Sequence, residues 1–271
     1  MSMAEDAKKH YDESGDKYGS LSIDKKYLTE LYTTLKCLRD HTSNYAEGLR
    51  ILDLACGCGE LLLEFLKNGA SFVSGMDISS TMISASASTL AEISSDRFSL
   101  HIGDCLSSEV LESVYSSVKF DNITANWLIN YSESVDKLRS FFKTCHGLLN
   151  PKGRIFCIFT NDSMIDNLEE SESKVHIVTS YYKILEKFDT HAHAQLRLIN
   201  PKTSEVIIDT QINIFRKNTI VQCLEETGFR VLRISPIDIR DDYAEFGYTI
   251  DQFRAYTDEI GIVYCLLAER D

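Results

Sequence analysis

From position 50 to position 160 short apolar runs alternate with stretches of helical spacing, and this alternation constrains the fold more than any other feature of the chain. The runs are RILDLA, SFVSGMD, RFSLHIGD, KFDNITAN and RIFCIFT. Between them the spacing predicts a helix ending at Asn68-Gly69, another from Ser80 to Ile93, and a third from about Glu109 to Tyr115. A longer helix carries Val135, Leu138, Phe141, Phe142 and Cys145, and the turn Asn150-Pro151-Lys152-Gly153 should precede the fifth run. Strands joined through helices cross over with a right hand, so a parallel sheet covered on both faces is expected. Further on, a helix from about Thr219 to Thr227, capped by Gly228, leads to FRVLRIS and GIVYCLLAE, which would complete that sheet.

Two stretches break the pattern. Residues 21–39 place Leu28, Leu31, Tyr32, Leu35 and Leu38 on one stripe, an amphipathic helix. Residues 161–173 carry five acids and no base, so they read as a solvated linker or lid. The runs KVHIVTSYYKIL, HAQLRLI and EVIIDTQI then follow without helices between them, with Asn200-Pro201-Lys202-Thr203-Ser204 as the last turn. They predict a three-stranded antiparallel flap. The expected organisation is one domain over 1–271, with a helical cap at 1–45, a binding core at 46–160, linker and flap at 161–215, and the rest of the core sheet at 216–271.

The stretch Ile51-Leu52-Asp53-Leu54-Ala55-Cys56-Gly57-Cys58-Gly59-Glu60 runs from a strand through tiny residues into a helix. Ala55, Gly57 and Gly59 let backbone approach a nucleotide-like ligand closely. Asp77 ends the next strand, where a carboxylate can accept from both ribose hydroxyls. Leu62 stands where a dinucleotide fingerprint needs its third glycine, and no phosphate-binding G-x-x-x-x-G-K-S/T occurs. Asp53 suits a ligand bearing an ammonium group better than a pyrophosphate.

With DLACGCGE, GMDIS, GDC and NWLINY in this order, the chain resembles the class I S-adenosylmethionine (AdoMet)-dependent methyltransferases, Ala55 replacing the first glycine of D/E-x-G-x-G-x-G. The resemblance implies an α/β, Rossmann-like, doubly wound seven-stranded sheet, mostly parallel with an antiparallel last strand. The helical cap and the antiparallel insert would be additions to it. It implies that Asp53, Ala55, Cys56, Gly57 and Gly59 surround the methionine part of AdoMet and that Asp77 holds the ribose. Ile78 and Met82 would flank the adenine, with Asp104 and Cys105 at its amino edge. Asn126 and Trp127 would lie under the sulfonium. Tyr11-Asp12 and Tyr18 resemble a tyrosine-bearing cap, and Tyr11 and Tyr131 are the substrate-facing candidates. No general base is identified. More narrowly, the Asn126–Tyr131 segment, the insert and the ending GIVYCLLAERD look similar to the toxoflavin-type small-molecule enzymes.

Charge limits the partners. Lys plus Arg number 28 against 41 Asp plus Glu, a net charge of −13, which opposes binding to phosphate backbones. No apolar run approaches the roughly 18 residues of a membrane helix, and the N-terminal residues lack a secretory apolar segment, so a cytoplasmic protein is expected. The eight cysteines contain no C-x-x-C pair and read as reduced thiols. His191 and His193 share a strand face but have no third ligand at metal spacing. The expected function is in-line transfer of a methyl group to nitrogen or oxygen of a small molecule, by a monomer or homodimer with no metal. Nucleic-acid methylation, protein methylation and non-catalytic AdoMet binding are the alternatives.

Overall fold

The computed structural model describes residues 2–22, 25–42, 44–167, 173–174, 180–199, 204–236 and 263–271. Of residues 15–22, 25–30, 32–33, 167, 173–174, 180 and 263 it describes the backbone alone. The side chains of Tyr18, Leu28 and Tyr32, residues 168–172 of the acidic run, and 200–203 of the expected turn therefore lie outside the described residues.

Two helices, α1 (Met3–Ser22) and α2 (Lys25–His41), precede the alternating core. The core runs β1 (Arg50–Leu54), α3 (Glu60–Lys67), β2 (Phe72–Asp77), α4 (Ser80–Thr89), β3 (Phe98–Ile102), α5 (Ser108–Tyr115), β4 (Phe120–Thr124), a 3-10 turn (Ile129–Tyr131), α6 (Val135–Leu148) and β5 (Leu149–Thr160). A short helix α7 (Ser163–Asn167) leads to β6 (Ser173–Lys174), β7 (Ser180–Lys187), β8 (His191–Ile199) and β9 (Val206–Phe215). The chain returns to the core with α8 (Lys217–Glu226), β10 (Phe229–Pro236) and β11 (Val263–Arg270).

Serine hydroxyls start three of the core helices by accepting a main-chain N–H three residues on: Ser79 from Met82, Ser107 from Val110 and Ser134 from Lys137. Gly228, at φ 91°, takes the left-handed position after α8. Helix α4 stops at Thr89, short of the expected Ile93, because the N–H of Ile93 closes a turn on Leu90 O at 2.9 Å.

The main sheet has seven strands in the order β10-β11-β5-β4-β1-β2-β3. Neighbours from β5 to β3 are parallel, whereas β11 is antiparallel to both β5 and β10. Side chains alternate across it: Leu52 and Leu54 join Phe141, Phe142 and Leu224 on one face, and Ile51 joins Leu38, Phe65 and Ile158 on the other. The expected turn at Asn150–Gly153 falls inside β5. Phe120 pairs with Leu149 and Asn122 with Arg154, so β5 spends five residues where β4 spends two, and Lys152 takes φ 63° in that excursion.

The second sheet is antiparallel. β7, β8 and β9 form the expected three strands, and two-residue β6 joins the open edge of β7. Its buried face, with Ile184, Ala194, Ile208 and Ile212, forms a separate apolar cluster. Two asparagines fasten it to the core: Asn130 Nδ2 donates to Asn213 O at 2.9 Å, and Asn213 Nδ2 donates to Ser132 O at 2.9 Å.

Candidate functional site

The carboxyl ends of β1 to β4 converge on one pocket, roofed by α1. In the loop after β1, Ala55, Gly57 and Gly59 all have positive φ, at 61°, 52° and 82°. The two glycines serve different ends. A Cβ built on Gly57 meets nothing within 4 Å, and Gly57 lines the pocket; a Cβ on Gly59 would lie 2.2 Å from Ser86 Oγ. Gly57 thus leaves room for a ligand, while Gly59 lets α3 start against α4.

The pocket and its mouth enclose about 820 Å³. Ala55 and Gly57 come from the loop; Asp77, Ile78 and Met82 from the end of β2 and the start of α4; Asp104, Cys105 and Leu106 from the end of β3. Asn126, Trp127, Leu128 and Tyr131 follow β4, and Ala4, Ala7 and Tyr11 come from α1. Tyr11 and Tyr131 meet through their hydroxyls at 3.0 Å, with rings edge-to-face at 6.4 Å. Trp127 holds φ 63° while its N–H donates to Ile158 O at 2.7 Å. Asn126 is fixed from two sides, accepting from Ile158 N at 3.1 Å and donating to Thr34 Oγ1 at 3.1 Å.

Three acids stand at this edge. Asp77 is 7% exposed, and its two oxygens accept from Gly57 N at 3.0 Å and Ser79 N at 2.9 Å. Burial pushes its carboxyl up from the usual range, against the pull of those N–H groups. Asp104 Oδ1 accepts from Leu106 N at 2.9 Å, an Asx turn in the loop before α5, whose N-cap is Ser107, and the residue lines the pocket. Asp53 is 3% exposed and accepts from Thr124 Oγ1 at 2.6 Å. Burial raises its carboxyl to about 7, the Thr124 hydrogen bond opposes this, and the Asp77 and Glu60 charges add to it.

Eleven residues expected at the site from sequence do line the pocket: Tyr11, Ala55, Gly57, Asp77, Ile78, Met82, Asp104, Cys105, Asn126, Trp127 and Tyr131. Asp53, Cys56 and Gly59 do not: Asp53 turns toward Thr124, Cys56 packs into the apolar face with Leu62, and Gly59 lies against α4. Tyr18 falls outside the described side chains. Sequence reasoning passed over Ala4, Ala7, Leu106 and Leu128. The spacing of Ala4, Ala7 and Tyr11, which is one face of a helix, was the available signal.

Residues 52–155 match the methyltransferase domain family. The chain carries a methyltransferase domain over these residues. Over 107 residues it is 33% identical to the ubiquinone biosynthesis O-methyltransferase of Rhodopseudomonas palustris strain TIE-1, covering 40% of this chain and 38% of that one. The chain thus spans well under half the length of that curated relative. Among solved structures, an AdoMet-dependent methyltransferase from Clostridium acetobutylicum superposes with TM-score 0.61 at 16% identity, covering 94% of this chain and 98% of its own. The magnesium protoporphyrin IX methyltransferase of Synechocystis PCC 6803, solved with its methyl donor bound, gives 0.60 at 12% identity over 100% and 98%. At these identities the likeness is one of fold. Methyltransferase domains of this class take AdoMet as cofactor, and the pocket fits it: the space beside Gly57, the Asp77 and Asp104 carboxylates, and the apolar walls of Ile78 and Met82 match a methionyl nucleoside.

Proposed function

We propose that this protein transfers a methyl group from AdoMet to nitrogen or oxygen of a small molecule. One observation carries the reading. A single pocket joins the loop and acids of the methyltransferase domain to a wall made by Ala4, Ala7 and Tyr11 of α1 and by Leu128 and Tyr131. A roofed pocket of that kind suits a compact acceptor. The two relatives are named for ubiquinone biosynthesis and for magnesium protoporphyrin IX, which agrees with such an acceptor. The net charge of −13 speaks against nucleic acid. The narrower likeness to toxoflavin-type enzymes is supported by residues 126–131, the antiparallel insert and β11.

AdoMet, when bound, supplies a sulfonium methyl already activated toward a nucleophile. The residues then have to bind, orient and keep out water. In this reading Asp77 takes the ribose hydroxyls, Asp104 and Cys105 read the adenine edge, and Ile78 and Met82 enclose the ring. Gly57 admits the methionine part, while Asp53, held by Thr124 behind the loop, supports the end of β1. Asn126 and Trp127 border the reacting centre, and Tyr11 and Tyr131 face the acceptor. An amine acceptor needs only to arrive deprotonated, so no base is assigned. The whole chain is read as one domain, acting as a monomer or homodimer. Among the described residues no helix is long and apolar enough to cross a membrane.

Calorimetry with AdoMet, followed by transfer of a labelled methyl to small-molecule fractions, tests the proposal. Asp77 also holds two main-chain N–H groups, one on each oxygen, so Asp77→Asn, which keeps one of the two acceptors, is more informative than Asp77→Ala. It should weaken AdoMet affinity at least tenfold with thermal unfolding still cooperative, and undiminished affinity would remove Asp77 from the ribose.

A further inference from the structure

Helix α1 meets its two neighbours through unlike surfaces. Toward the second sheet it lays Tyr11 on the apolar cluster that contains Ile184, Ile208 and Ile212. Two hydrogen bonds reinforce that side, Thr210 Oγ1 to Asp6 Oδ2 at 2.8 Å and Ser14 Oγ to Ile207 O at 2.7 Å. Toward α4 the contact is polar. Asp12 Oδ1 accepts from Ser79 Oγ at 2.7 Å and Ser80 Oγ at 3.4 Å, Thr81 Oγ1 donates to Asp12 O at 3.0 Å, and Lys8 Nζ pairs with Asp12 Oδ2. Burial opposes the Asp12 charge, but the Lys8 and Ser79 hydrogen bonds outweigh it and hold the carboxyl down at about 2.

Ser79 carries this seam into the pocket. Its N–H donates to Asp77 Oδ1, whose partner oxygen holds the N–H of Gly57. An unbroken chain of hydrogen bonds therefore links Asp12 on the roof to the loop on the floor. Hydrogen bonds of a polar seam exchange for water with little net loss, whereas baring an apolar face costs in proportion to its area. The roof should part from α4 before it parts from the second sheet.

We infer that Asp12 is a positioning residue that latches α1 onto the Ser79–Thr81 turn, so that the pocket opens at this seam while α1 stays on the second sheet. Seating of a ligand against Asp77 steadies Ser79 and with it the latch. That coupling rests on the AdoMet reading proposed above; the latch itself does not.

Hydrogen exchange read by mass spectrometry on the full chain, with and without AdoMet, tests it. In the ligand-free Asp12→Ala variant, amides of residues 3–22 should exchange about tenfold faster while those of β8 and β9 are unchanged. AdoMet should leave that variant about tenfold faster than the parent, followed through Trp127 in the pocket. Asp12→Asn, which keeps an acceptor for Ser79, should stay within about twofold of the parent. Unchanged exchange in residues 3–22, or an equal rise throughout the second sheet, overturns the latch. Failure of the parent to bind AdoMet overturns the proposed function instead, and the ligand-free comparison still decides the latch.

Discussion

Asp53 and Asp77 end neighbouring strands as buried carboxyls, yet only Asp77 reaches the pocket. The consequence for Asp53 is a dependence of stability on pH. Its folded carboxyl titrates at about 7, above the roughly 3.9 of an unfolded aspartate. Between those values the folded state keeps a proton that the unfolded chain has released, so the contribution of Asp53 to stability falls as pH rises through the window. Thermal unfolding of the ligand-free parent should lose a few degrees more between about pH 5 and pH 8 than that of Asp53→Asn, in which Thr124 keeps its acceptor. Parallel slopes would mean that Asp53 is ionised throughout. The residue type and position of Asp53 were legible from the motif. That it stands behind the loop was not, because the side to which a strand end turns is set by its neighbours, here Thr124 of β4.

At the scale of elements, the glycine loop separates two roles that look identical in sequence. Gly59→Ala would force a side chain at φ 82° into Ser86, adding overpacking of about 1–3 kcal/mol to a left-handed cost of about 1–2 kcal/mol, and should lower the melting temperature by several degrees. Gly57→Ala meets open space and carries only the left-handed cost of about 1–2 kcal/mol at φ 52°, so it should lose less stability than Gly59→Ala yet lose at least tenfold in AdoMet affinity, because its methyl enters the pocket. Unfolding scans and calorimetry on the two variants together check the division; equal loss of stability in both would refute it. The elements of the main sheet were legible because its central strands are buried on both faces and read as nearly continuous apolar runs, as Ile155–Phe159 does. β8 was legible for the opposite reason, its strict alternation of half-buried and buried residues. The Asn150–Gly153 segment has turn chemistry, but the pairing of Leu149 with Phe120 makes it an excursion within β5, and a cross-strand pairing leaves no local mark.

At the scale of the whole molecule, Asn213 is central to the polar contacts that join the cofactor core to the second sheet among the described residues. Its side chain is 3% exposed and donates to Ser132 O, while its main-chain oxygen accepts from Asn130. Asn213→Ala leaves Ser132 O buried without that donor, a cost of about 1–3 kcal/mol, and should lower the unfolding midpoint in urea while sparing the order of the core strands. An unchanged midpoint would show that the apolar cluster alone holds the sheet. None of this junction was legible beforehand. Asn130 and Asn213, like Asp12 and Ser79, lie far apart along the chain, and periodicity speaks only of near neighbours. The placement of β11 between β5 and β10 has a consequence of another kind. A chain made from its first residue onward completes β5 long before the strand that must cover its outer edge. Until residues 263–270 emerge, that edge offers unpaired main-chain groups beside Phe156 and Ile158 to any other nascent chain. The interval between the synthesis of these two strands therefore leaves a long apolar strand with one edge open to pairing with another chain.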